Sequence, residues 1–190
     1  MTSPRGGVDL VIKVGGGLLA HPDCLVDSLT QIAAAAQRVR LLIVPGGGPF
    51  ADTIRAIDRD IGLGDDEAHW MAVLAMDQYA HLLAAKLEGG VLAHTKVAIS
   101  AALDAGRIPV LAPYRWLREV DPLPHSWDVT SDSLAAWITG ALESDRLLLV
   151  KPPDAEEPLV DAYFNEALPR RVTSTIVAAG APLRSVLEAC

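Results

Sequence analysis

The sequence predicts an α/β fold, a three-layer αβα sandwich with a mostly parallel central sheet. Short strands rich in Leu, Ile and Val alternate along the chain with longer segments of helical periodicity. These strand segments are apolar at nearly every position, which is typical of strands covered by helices on both faces. The chain has 190 residues, 51% of them hydrophobic and 21% charged, so we expect residues 1–190 to form a single domain.

The first part of the chain contains two strand–loop–helix units. Strands are predicted over 8–14 and 41–44, and each is followed by consecutive glycines. Apolar residues at i, i+3, i+4 spacing predict a helix over 23–38 after the first strand. After the second strand, Pro49 stands where the first turn of a helix tolerates proline, so a helix is expected over 49–60.

The rest of the chain continues this alternation without a repeat or an obvious linker. Its predicted elements are helices over 67–88, 96–105, 134–142 and 182–189, and strands over 108–112, 147–150 and 176–178. The cluster Thr130-Ser131-Asp132 precedes the 134–142 helix in the way that a capping sequence does.

Composition excludes some classes of partner. The net charge of −8 argues against a general binder of nucleic acid or of anionic membranes. No apolar run approaches the length of a membrane span, and the two cysteines, Cys24 and Cys190, suggest no disulfide framework. We therefore expect a cytoplasmic protein in which any anionic ligand is held by local cations and backbone amides.

The two glycine loops are the first functional signal. Gly15, Gly16 and Gly17 follow the first strand, and Gly46, Gly47 and Gly48 follow the second. Glycines there bring bare N–H groups against a ligand, and a following helix adds its positive N-terminal end. A single loop of this kind is most simply a tight turn, but two in one sheet, the first preceded by Lys13, favour a phosphate site. A buried ammonium in a central strand needs an anion to offset its desolvation.

Two common nucleotide motifs do not account for these loops. Both loops fit the pattern G-x-G-x-x-A, but neither is followed at the right distance by the acidic residue that would hold a ribose. The chain also lacks the sequence G-K-[ST], which excludes a Walker-type P-loop. A dinucleotide-dependent oxidoreductase is therefore a distant choice.

Two further side chains are candidates for the same site. Lys151 follows the strand over 147–150, at the sheet edge where ligands of open α/β sheets bind, although a solvated loop lysine is equally consistent. Asp132 is either a helix cap or a carboxylate that holds lysines for phosphoryl transfer, and both roles are compatible.

The chain resembles the amino-acid kinase family. The resemblance rests on Lys13-Val14-Gly15-Gly16-Gly17, on Pro45-Gly46-Gly47-Gly48 and on the segment from Thr130 to Ala136, which occur in the family's order. It implies an ATP-dependent kinase in which Lys13 stabilises the transferring phosphoryl group and Asp132 orients the lysines. The first glycine loop, with Thr130 and Ser131, would lie against the ATP phosphates, and the second against the acceptor. For the second catalytic cation, Lys151, Arg170 and Arg171 all remain candidates.

A narrower resemblance concerns the acceptor. His125-Ser126-Trp127 before Val129, and the pair Met76-Asp77, are similar to the branch that phosphorylates (5-(aminomethyl)furan-3-yl)methyl phosphate to its diphosphate in methanofuran biosynthesis. It implies a carboxylate for the substrate amine, either Asp77 or Asp128. Trp127 would stack on the furan or anchor the core, and His125 would contact phosphate, assist proton transfer or simply be solvated.

Cofactors and partners follow from the same resemblance. ATP and Mg²⁺ are inferred from the reaction, because the sequence shows no dedicated metal ligands, and similar proteins are usually homo-oligomers. Two alternatives stay open: a kinase of another small phosphate or carboxylate, and a non-catalytic nucleotide or oxyanion binder. Gly17 replaces the family's usual serine, and Lys151-Pro152-Pro153-Asp154 replaces its Asp-Val-Asp-Gly, which keeps the second alternative open.

Overall fold

The computed structural model describes residues 7–183, in which one six-stranded sheet forms the centre of the molecule. All five strand pairings are parallel, and the strand order is β3-β4-β2-β1-β5-β6. The strands are β1 Leu10–Val14, β2 Leu41–Pro45, β3 Gly90–Ala93, β4 Ile108–Leu111, β5 Arg146–Lys151 and β6 Thr173–Ala178.

Helices connect the strands and cover the sheet. They are α1 Pro22–Ala35, α2 Gly48–Ile61, α3 Asp65–Lys86, α4 Lys96–Asp104, α5 Tyr114–Val120, α6 Ser131–Ala141 and α7 Phe164–Ala167. A short 3₁₀ helix, Gly16–Ala20, lies between β1 and α1. None of the helices described over residues 7–183 combines the length and apolar character that crossing a bilayer requires.

The core consists of two apolar layers, one on each face of the sheet. Alternate residues of β1 belong to different layers, because successive side chains of a strand point to opposite faces. Val11 packs with α6 residues such as Leu134, whereas Ile12 packs with α1 residues such as Leu29. The three-layer fold that the sequence predicts is confirmed.

The register of the central strands places two lysines on one face. Lys13 lies two residues after Val11 and is paired in register with Leu149 of β5. Lys151 lies two residues after Leu149, at the end of the same strand. Strand alternation therefore directs both lysine side chains toward the layer that contains α6.

Besides the 3₁₀ helix, the structure adds three short elements that the sequence pattern does not predict. They are the edge strand β3, of four residues, and the helices α5 and α7, of seven and four residues. Each is too short to show a periodicity that distinguishes it from a loop. The edge strand β6 begins at Thr173, before the predicted start at 176. Its first residues are polar, so the apolar pattern of the sequence does not include them. The helix predicted over 182–189 falls almost entirely outside the described residues.

Candidate active site

The two glycine loops meet at the carboxyl edge of the sheet. β1 and β2 are parallel neighbours, so the loops that follow them emerge side by side. A Cβ atom on Gly16 would overlap the backbone N and Cα atoms of Gly48, so only glycine permits this approach. The two glycine loops therefore lie in contact at one edge of the sheet.

The glycines divide into two groups. The Gly15 amide donates to Val150 O at 2.8 Å, and the Gly46 amide donates to Val14 O at 2.8 Å. These two N–H groups extend the sheet and are not available to a ligand. The other four glycines, Gly16, Gly17, Gly47 and Gly48, line a cavity.

This cavity has a volume of about 240 Å³ and opens beside the two loops. Helices α2, α3 and α6 and the segment before α6 form its other walls. Its charged or polar lining residues include Lys13, Asp52, Arg55, Asp65, His69, Thr130, Ser131 and Asp132; its apolar residues include Ala68, Ala72, Val73, Met76, Trp127, Val129 and Leu134. One end is therefore rich in amides and cations, while α3 supplies an apolar wall.

A buried carboxylate stands between two lysines at the inner end of the cavity. Lys13 Nζ lies 2.7 Å from Asp132 Oδ1, and Lys151 Nζ donates to Asp132 Oδ2 at 2.6 Å. Lys13 and Asp132 are only 4% and 5% exposed. The geometry therefore brings Lys13, Asp132 and Lys151 together as one charged cluster.

The cluster changes the proton affinities of its members. Burial by itself would raise the pKa of Asp132, but the charges of Lys13 and Lys151 outweigh burial and hold that pKa below its ordinary value. Burial and the charge of Lys13 lower the pKa of Lys151, against the opposing effect of Asp132. The result is an ionised aspartate flanked by a lysine that loses its proton more readily than usual.

The alternatives for the second cation separate in space. Lys151 reaches Asp132, whereas Arg171 lies at the C-terminal end of α6. There it donates to Gly140 O at 2.8 Å and pairs with Asp145 at 3.4 Å. Arg170 is exposed beside it in sequence. Of these three cations, Lys151 is therefore the one that contacts Asp132.

Asp77 and Asp128, the two candidates for the substrate amine, are absent from the cavity lining among the described residues. Asp77 Oδ1 accepts a hydrogen bond from the Tyr114 amide at 3.0 Å and so caps the start of α5. Burial raises the pKa of Asp77, although this hydrogen bond opposes the shift. Asp128 is exposed, and its carbonyl accepts from the Tyr163 amide at 3.1 Å. Asp52 and Asp65 are the carboxylates that face the cavity together with Asp132.

His125 is also absent from the cavity lining among the described residues, and it forms a cluster with two carboxylates. Its ring nitrogens lie 2.6 Å from Asp66 Oδ1 and 2.8 Å from Asp121 Oδ1. Burial would lower the pKa of His125, but these two carboxylates raise it above its ordinary value. His125 therefore joins α3 to the segment that follows α5, and it stacks on His69 with ring centroids 4.1 Å apart.

His69, which sequence analysis did not single out, occupies the cavity wall beside His125. Burial, with the nearby charge of His125, lowers the pKa of His69 to about 4. A neutral imidazole therefore faces the cavity at physiological pH. His69 and His125 both lie in segments of mixed polar and apolar residues. Their spacing in the sequence therefore does not show that His69 is buried and that His125 is ion-paired.

Trp127 contributes to the cavity and is fixed from two sides. Its Nε1 donates to Asp58 Oδ2 at 2.7 Å, and the Arg55 guanidinium lies 4.6 Å from its ring centroid. Arg55 and Asp58 belong to α2, the helix that follows the second glycine loop. The i, i+3 spacing of Asp52, Arg55 and Asp58 along one face of that helix is the signal that could have pointed to them.

The chain belongs to the amino acid kinase family, whose model matches residues 10–154. Among curated proteins, it is 28% identical over 145 residues to [5-(aminomethyl)furan-3-yl]methyl phosphate kinase from Methanocaldococcus jannaschii. That match covers 76% of this chain and 66% of the relative, slightly under two thirds of the relative's length.

Solved structures show the same fold at low sequence identity. Uridylate kinase from Archaeoglobus fulgidus superposes with a TM-score of 0.70 at 14% identity, covering 96% of this chain and 95% of that one. UMP kinase from Bacillus anthracis superposes with a TM-score of 0.68 at 15% identity, covering 98% and 93%. These likenesses concern the fold alone.

Proposed function

We propose that this protein is an ATP-dependent kinase that converts (5-(aminomethyl)furan-3-yl)methyl phosphate to its diphosphate in methanofuran biosynthesis. In this reaction a phosphate oxygen of the acceptor attacks the γ-phosphorus of ATP. A new P–O–P bond forms as the bond from the γ-phosphorus to the ADP oxygen breaks. The family match and the named relative support this class of reaction.

The observation that carries the proposal is the position of the Lys13–Asp132–Lys151 cluster beside both glycine loops. Phosphoryl transfer brings two polyanions together, so catalysis depends mainly on positioning and on neutralising charge. In the proposed site Lys13 and Lys151 supply the positive charge, and Asp132 holds their ammonium groups in place. The backbone of Gly16, Gly17, Gly47 and Gly48, which line the cavity at the start of helical segments, adds amide donors for phosphate oxygens.

The cavity has the chemistry that this acceptor requires. The acceptor has a phosphate at one end, an ammonium at the other and a flat ring between them. Lys13 and Arg55 offer cations, Asp52 and Asp65 offer carboxylates, and α3 offers an apolar wall that includes Met76. We therefore assign the amine to the Asp52 and Asp65 side of the cavity, in place of Asp77 or Asp128.

Magnesium enters this proposal only as part of Mg-ATP. Over residues 7–183, no group of three or more His, Cys, Asp or Glu side chains is arranged to hold a metal ion. Mg²⁺ commonly binds through substrate phosphates and water, so the proposal assigns it no protein ligands. We also propose that the protein is a homo-oligomer and works in the cytoplasm, where ATP is available. Light scattering after size-exclusion chromatography measures the mass of the assembly.

Phosphorus NMR tests the activity directly. Protein incubated with Mg-ATP and the furan monoester is expected to give ADP and a pair of coupled diphosphate signals, with a mixture lacking ATP as the control. Consumption of the monoester without ATP would contradict the proposal.

Parallel assays with UMP, acetylglutamate and aspartate test the acceptor. A higher kcat/KM with any of these than with the furan monoester would reassign the substrate. Tight ATP binding without turnover on any acceptor would instead favour a non-catalytic nucleotide binder.

A further inference from the structure

Asp161, in the segment between β5 and α7, makes four hydrogen bonds to the beginning of α6. Its Oδ2 accepts from the Thr130 amide at 2.9 Å, from Thr130 Oγ1 at 2.7 Å and from the Ser133 amide at 3.0 Å. Its Oδ1 accepts from Ser133 Oγ. Thr130 and Ser133 flank the Ser131-Asp132 pair, so one carboxylate holds both sides of the turn that carries Asp132.

Asp161 performs the task that an N-cap side chain ordinarily performs. The N-cap residue is Thr130, yet its hydroxyl makes no capping hydrogen bond to the helix and instead donates to Asp161. An N-cap oxygen usually serves the amide of the third helical residue, which here is Ser133. Because Asp161 already accepts from that amide, Asp132 is not needed as a cap, and both of its oxygens are available to Lys13 and Lys151.

The backbone around Asp161 is well fixed. The Phe164 amide donates to Asp161 O at 3.2 Å, and the Phe164 side chain is buried in the core layer that includes α6. The Tyr163 amide donates to Asp128 O at 3.1 Å, shortly before α6. These contacts fix the backbone that carries the Asp161 carboxylate, so this carboxylate can hold the start of α6 in place.

We propose that Asp161 is a positioning residue that fixes the first turn of α6 and thereby aims Asp132 between Lys13 and Lys151. The proposal rests on the proposed kinase function. Asp161 itself is absent from the cavity lining of the described residues, so it acts through Asp132 and not by touching substrate.

Electrostatics gives Asp161 a second, measurable effect. The groups that act on the pKa of Lys151 are Lys13 from β1, Asp132 from α6 and Asp161 from the segment before α7. Burial and Lys13 lower that pKa, whereas Asp132 and Asp161 raise it. Removing the charge of Asp161 should therefore shift the titration of Lys151 to lower pH.

Two variants distinguish the hydrogen-bonding role of Asp161 from the effect of its negative charge. Asp161→Ala removes all four hydrogen bonds, and we expect kcat to fall about 10- to 100-fold, since misplaced catalytic groups cost rates of this order. The acceptor KM should stay within about twofold, because the partners of Asp161 are Thr130 and Ser133 and none of the residues assigned to the acceptor amine and ring. Asp161→Asn keeps a carbonyl acceptor for the α6 donors but removes the charge, so the alkaline limb of its kcat/KM profile should move to lower pH.

Thr95→Ala is the matched control. Thr95 caps α4 by accepting from the Ala98 amide at 3.2 Å, away from the cavity. This variant should lose stability through a missing helix cap and keep its kcat and pH profile. If Asp161→Ala has kcat within twofold of that of Thr95→Ala, the proposal is overturned. If Asp161→Ala does not fold, Asp161→Asn decides, and an unchanged pH profile in that variant overturns the proposal.

NMR of lysine provides a test that needs no turnover. The chain has four lysines, Lys13, Lys86, Lys96 and Lys151, so selective ¹³Cε labelling gives few signals to assign. The Lys151 signal should titrate at lower pH in Asp161→Asn than in the unaltered protein, and an equal midpoint contradicts the proposal. If the unaltered protein phosphorylates no acceptor, the proposed function fails, while this titration still decides the role of Asp161.

Discussion

Asp132 shows why a single buried carboxylate matters at the scale of the residue. Two ammonium groups in a low-dielectric interior repel each other, and each requires a counter-charge to remain ionised. Asp132 supplies that charge to both, at 2.7 Å from Lys13 and 2.6 Å from Lys151. The same residue type at an exposed helix terminus would contribute only a cap.

We expect Lys13→Ala and Asp132→Asn each to lower kcat by about 100- to 1000-fold, the cost of removing one preorganised charge or donor. Both proteins should remain folded by circular dichroism. Asp145→Asn, an exposed site beyond the far end of α6, is the control and should retain normal turnover. A rate within tenfold of normal in either cluster variant would remove that residue from the mechanism.

At the scale of the element, the loops that follow β1 and β2 approach each other so closely that only glycine fits at their contact. Gly16→Ala would force a Cβ into the backbone of Gly48, which cannot rotate away as a side chain would. We expect a loss of about 1–3 kcal/mol in the free energy of unfolding, as in other overpacked sites, together with at least tenfold lower kcat.

Denaturant titration and steady-state assays measure these two effects. Gly7→Ala is the matched control, because a Cβ there meets no atom within 4 Å. Equal stability and kcat in Gly16→Ala and Gly7→Ala would show that the close contact between the two glycine loops is needed for neither stability nor turnover.

The attachment of the segment after α5 to α3 should depend on pH. The pKa of His125 in the folded protein is raised above 6.5 by Asp66 and Asp121. The stabilisation from its charge is therefore fully present below about pH 6.5 and is lost as pH rises through the raised folded pKa. We expect His125→Gln to lower the melting temperature more at pH 6 than at pH 9. A difference that does not change with pH would show that His125 acts by packing alone.

At the scale of the whole molecule, substrate binding should stabilise the folded chain by mass action. An acceptor at one hundred times its Kd contributes about 2.7 kcal/mol, which corresponds to a rise of about 5–10 °C in Tm for a chain of this size. Differential scanning fluorimetry with the furan monoester should show this rise, and the dephosphorylated alcohol should give a smaller one. Equal shifts with both compounds would show that the cavity does not recognise the phosphate.

The sequence by itself determined the alternation of strands and helices and the two glycine loops, and it singled out Lys13 and Asp132 as candidates for one site. These features are local: apolar runs, glycine triplets and a polar cluster before a helix are legible within a few residues. They sufficed for the fold class because each main strand and helix is long enough to show its own period.

Only the tertiary structure decided which polar side chains share the cavity. Asp77 and Asp52 are both acidic residues on helices. Asp77 caps α5, whereas Asp52 lines the cavity, because helix packing sets the direction of each side chain. Asp161 lies 31 residues from Thr130 in sequence and within 2.7 Å of it in space. Such contacts depend on how β5, α6 and α7 pack, and no local pattern encodes that distance.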